Sequence, residues 1–99
     1  MSADDFGFVP PAFKPAEALV LLKRQLRDLK PLAERGSRYE IKGRPVMELA
    51  ASETNIVARL ARRPATNPEW TAEHLASAPD VRRFVDTVKK RLQQWEREE

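Results

Sequence analysis

The chain has 99 residues, 41% of them hydrophobic and 33% charged, with no cysteine and a formal net charge of +3. These values fit one small globular domain and exclude disulfides, thiol catalysis and sulfur-ligated zinc. No apolar run approaches the roughly 20 residues of a membrane span, and the acidic start MSADDFG lacks the basic-then-apolar pattern of a secretory signal. A cysteine-free fold suits a reducing cytoplasm, and the Ala- and Arg-rich composition suggests a bacterial genome of high GC content.

Residues 1–14 read as an extended Phe/Pro-rich N-terminal segment, and residues 15–99 as a single small α+β domain. Pro10, Pro11 and Pro15 hold φ and push their predecessors toward polyproline or β conformations. Phe6, Phe8 and Phe13 are each worth about 1.5–3 kcal/mol if buried. They are candidate binding residues, docking on their own domain, on a protein partner or on a second copy of the chain.

Pro15 suits a first helical position and Glu17 the first turn. Leu19, Leu22, Leu26 and Leu29 then recur at helical spacing as one apolar stripe. Lys30 precedes Pro31, which ends the regular helix. PLAERG is expected to add one helical turn closed by Gly36.

The period changes over 38–61. RYEIK alternates, and PVMELAA and NIVARLA carry β-branched residues between the turn formers KGRP and SETN. A helix over 46–61 is the rival reading, but three strands satisfy the registers. A loop at Lys42–Arg44 sets Ile41 opposite Pro45 and Tyr39 opposite Met47. A loop at Ser52–Asn55 sets Ala51 opposite Ile56, Leu49 opposite Ala58 and Met47 opposite Leu60. Both registers keep one face apolar, as a slip of one residue would not. On the other face Glu48 falls between Arg38 and Arg59.

In RRPATNPEW, Asn67 and Pro68 read as the cap and first residue of a short helix through Ala76. Ser77 caps a last helix, with Asp80 in the capping-box position. Val81, Phe84, Val85, Val88, Leu92 and Trp95 give that helix the strongest periodicity in the chain. The predicted fold is a two-layer α+β domain in the order α-β-β-β-α-α, a three-stranded antiparallel meander packed against helices.

The helix–strand–strand–strand–helix order resembles double-stranded-RNA-binding domains in outline. Those domains start the last helix with a lysine cluster on the phosphates; here it starts SAPDVRRF, with Asp80 where positive charge is wanted. The likeness therefore stops at element order. The basic candidates for nucleic acid are Arg38, Lys42, Arg44, Arg59 and Arg63, placed on the outer sheet face.

Enzymatic signals are missing. His74 is the only histidine, so no ligand pair can be written. Ser52 and Ser77 serve a turn and a cap, and no nucleophile elbow is present. Three glycines permit neither a P-loop nor a dinucleotide fingerprint. The sequence points to a non-enzymatic protein-interaction domain without cofactor or metal, with Trp70 as a further candidate anchor, nucleic acid as the alternative partner and a small enzyme as the third reading.

Overall fold

The computed structural model describes residues 13–98. They form α1 (Pro15–Arg27), β1 (Ala33–Arg35), β2 (Arg38–Ile41), β3 (Arg44–Ala51), β4 (Ile56–Ala61), β5 (Trp70–Leu75) and α2 (Ala78–Glu98). The five strands make one antiparallel sheet in chain order. Most of the N-terminal segment expected to be extended lies outside the described residues.

The α+β class holds, with two corrections to the predicted order. Five strands replace three, and two helices replace three. The expected short helix through Ala76 is β5. Trp70 and Thr71 favour a strand, the segment pairs with β4 from Ala61↔Trp70 to Ile56↔Leu75, and that ladder outweighs the local Asn–Pro helix-start signal. The extra helical turn expected in PLAERG is β1, folded onto β2 through a turn led by Gly36 at φ 65.

The central register is as expected: Met47↔Leu60, Leu49↔Ala58 and Ala51↔Ile56. The β2–β3 hairpin differs in detail. Its turn has two residues, Lys42 (φ 53) and Gly43 (φ 81), and both lie in the left-handed region that a type I′ turn requires. Ile41 therefore faces Arg44, and Glu40 faces Pro45. A β-bulge inserts Val46 and restores Tyr39↔Met47. In the β3–β4 loop, the Ser52 hydroxyl accepts the Asn55 backbone N–H at 3.1 Å, and the Ser52 N–H donates to the Asn55 carbonyl at 2.8 Å.

Both helices pack on one face of the sheet. Leu22 and Leu26 of α1 and Phe84, Val88 and Trp95 of α2 share a buried cluster with Tyr39, Met47, Leu49, Ile56 and Leu60. Two bonds tie α2 to the end of β4: Arg91 Nη1 donates to the Ala61 carbonyl at 2.9 Å, and Trp95 Nε1 to the Arg62 carbonyl at 3.0 Å. The start of α2 follows the predicted cap. The Asp80 N–H donates to Ser77 Oγ at 3.3 Å, while the Asp80 carboxylate accepts the Ala76 N–H at 3.0 Å. Among the described residues, no helix is long and apolar enough to cross a membrane.

Candidate functional site: the outer face of the sheet

The antiparallel registers fix which side chains share the face turned away from the helices. Arg35↔Arg38, Arg38↔Glu48, Glu48↔Arg59 and Arg59↔Ala72 form one row across all five strands. Trp70 is a diagonal neighbour of Arg59 on the same face.

The row is tied together by charge. Arg59 Nη1 lies 2.9 Å from Glu48 Oε1, and Arg38 Nε lies 3.5 Å from Glu48 Oε2. One carboxylate thus holds two guanidiniums, the arrangement expected from the sequence. Arg35 pairs with Glu40 at 3.4 Å. Each of these pairs is partly exposed, so each is worth only about 0.2–1 kcal/mol and serves mainly to hold the side chains in place. The Arg59 guanidinium also sits 4.9 Å from the centre of the Trp70 ring, within cation–π range. The ring is half-buried, and Ala61 beside it is fully buried.

The structure brings some candidate residues together and separates others. Arg38, Arg59 and Trp70 share the outer face. Arg44 faces Ile41, in the row that runs toward the helices. Lys42 lies in the hairpin turn, beside a cleft of about 420 Å³ that Leu29, Leu92 and Trp95 also line. Arg63 lies in the β4–β5 connection, where it lines an open basin of about 760 Å³ with Arg62, Glu69 and Arg91. Phe13 packs against the core at the start of α1. Phe6 and Phe8 lie outside the described residues.

Sequence reasoning placed Trp70 on the expected short helix, away from the outer face of the sheet. The only strand signal was the β propensity of Trp70 and Thr71, since WTAEHL has no sustained apolar–polar alternation. His74, read on the same helix, stands opposite Val57, its Nδ1 3.4 Å from Asn55 Oδ1.

Two titrations are perturbed in the described structure. Tyr39 is pushed up to about 12, first by burial and then by the negative charge of Glu34. Asp80 is held below the usual carboxylate range, chiefly by the Ala76 N–H and further by Ser77 and Arg83. The second belongs to the helix cap and the first to the core. Among the described residues, no three His, Cys, Asp or Glu side chains are grouped to hold a metal ion. Compared with models of protein families, with curated proteins and with solved structures, the chain matches none.

Proposed function

We propose that this chain is a small non-enzymatic, cytoplasmic interaction module that takes a protein partner on the outer face of its sheet. The observation that carries this reading is the Trp70–Arg59 stack, anchored through Glu48 to Arg38, on the face opposite both helices. Tryptophan and arginine are the side chains most enriched at interface hot spots. Here the ion pairs hold the arginines in place, so a partner meets an already ordered patch and less side-chain entropy is lost on binding.

Nucleic acid is the second reading, because Trp70 supplies a stacking platform beside arginines. Charge ranks it second. Arg35, Arg38 and Arg59 face Glu40 and Glu48 across the tied rows, so three positive groups meet two negative ones, a surplus of one. Phosphate-binding surfaces neutralise several charges at once. Lys42, Arg44 and Arg63 lie off this face and would have to be reached around its edges.

The test is affinity capture of binding proteins by the full chain and by Trp70→Ala and Arg59→Glu variants. A protein retained by the parent, and by a control changed at exposed Arg82 of α2, is expected to be lost from both outer-face variants. Retention by both variants refutes this surface. Single-stranded DNA titrated against the chain at several salt concentrations decides the second reading. Binding that weakens steeply with salt and vanishes in Trp70→Ala establishes nucleic acid in place of protein.

A further inference from the structure

We propose that the chain forms a weak symmetric dimer by pairing β5 with β5 of a second copy, joining two five-stranded sheets edge to edge. Among the described residues β5 pairs on one side only, with β4. The Arg62 N–H donates to the Glu69 carbonyl at 2.9 Å, which makes Arg62–Glu69 a hydrogen-bonded pair. Antiparallel ladders alternate, so Thr71, Glu73 and Leu75 bond inward to β4. The N–H and C=O groups of Trp70, Ala72 and His74 therefore point out along the open edge.

The two edges of the sheet differ in protection. The edge at β1 is three residues long and carries Arg35; a short, charged edge is a poor template. Strand β5 has six residues, WTAEHL, with no lysine, arginine, proline or bulge inside it. Of the devices that normally blunt an edge, it carries only one, the Glu73 carboxylate.

Its side chains select a second copy as the occupant. Outward-bonding residues must pair with each other, which limits the two-fold axis to a few positions. An axis at Glu73 sets two carboxylates face to face, and like charges directly opposite are destabilising. An axis at Ala72 overlaps the whole strand, pairs Trp70 with His74 of the second copy and Thr71 with its Glu73, and leaves small alanines at the centre. Ala72, Glu73 and His74 are all exposed. This register forms about six new backbone hydrogen bonds. The joined edge runs only about 20 Å and buries less than the roughly 1,200 Å² of a standard stable interface. The dimer is accordingly weak and concentration-dependent. It would set both outer faces on the same side of one sheet, doubling the Trp70–Arg59 patch.

The test is sedimentation equilibrium of the full chain over a range of concentrations reaching the millimolar. The parent chain is expected to shift from monomer to dimer. Ala72→Lys sets two like charges at the axis and is expected to weaken association by up to about fivefold; the position is exposed, and circular dichroism checks that the variant folds. Cross-linking gives a second readout, since the chain has no cysteine. In an Ala72→Cys variant the two Cα atoms would lie about 5.5 Å apart, within disulfide range. Ala72→Cys is expected to oxidise to a covalent dimer at least about tenfold faster than Glu73→Cys, which faces Thr71. A parent that stays monomeric, a dimer indifferent to Ala72→Lys, or equal cross-linking rates would each overturn the proposal.

Discussion

Tyr39→Phe gives a direct test of how the core is assembled. The Tyr39 side chain is fully buried, yet its hydroxyl has no hydrogen-bond partner. The nearby Glu34 carboxylate raises the hydroxyl's pKa through its charge and, as the smallest contribution, as a weak acceptor, but its geometry falls short of a formed hydrogen bond. A buried, unpaired hydroxyl costs about 1–3 kcal/mol. Phenylalanine removes that cost and leaves a void of roughly 20 Å³, which at about 24 cal/mol per Å³ costs about 0.5 kcal/mol. The variant is expected to be more stable by about 1 kcal/mol. With a urea slope of about 1–3 kcal/mol per M, its unfolding midpoint rises by about 0.3–1 M. A second signature appears in alkali. The folded state holds Tyr39 near 12, while the unfolded chain ionises it near 10. The neutral form is the one the fold favours, so this contribution is complete below pH 10 and is lost as pH rises from 10 toward 12. Its ceiling is about 3 kcal/mol. Parent stability should therefore fall more steeply than that of Tyr39→Phe across this window, as read from urea midpoints at each pH. A Tyr39→Phe variant less stable at neutral pH would mean that the hydroxyl is bonded, and parallel pH curves would mean that it titrates normally in the fold.

Leu26 is fully buried in α1, whereas Leu21 is 55% exposed. Leu26→Ala is expected to cost about 2–5 kcal/mol and Leu21→Ala within about 0.5 kcal/mol; equal losses on urea unfolding would contradict the helix's docking face. At the start of α2, Ser77→Ala removes the cap and should cost about 1 kcal/mol in the same assay. Asp80 has a lowered folded pKa, so its contribution is present above the ordinary aspartate range and disappears as pH falls through the folded value. Asp80→Asn should flatten that part of the acid-unfolding curve, and an unchanged acid limb would count against the cap geometry.

The sequence by itself determined whatever depends on neighbours along the chain. The Leu22–Leu26 stripe, the Val81–Trp95 periodicity and the Ser77 cap are local patterns that burial or hydrogen bonding completes. The β3–β4 register was legible because one slip would turn Met47, Leu49 and Leu60 to water. So was the place of Glu48 between two arginines, which follows from that register.

Only tertiary structure decided the fate of segments with two acceptable local conformations. TNPEW starts a helix well on its own, but the six residues of β4 leave a row of outward-facing donors and acceptors that β5 satisfies. The β2–β3 turn was misjudged by one residue because Lys42 gives no hint of a positive φ, and the error stayed local because Val46 absorbs it as a bulge. The candidate site depended on both kinds of information. Arg38, Glu48 and Arg59 could be aligned from a period of two, whereas Trp70 joined them only through pairing across the fourth strand. Cross-strand neighbours lie far apart in sequence, and the energy that joins them exists only once the sheet has formed.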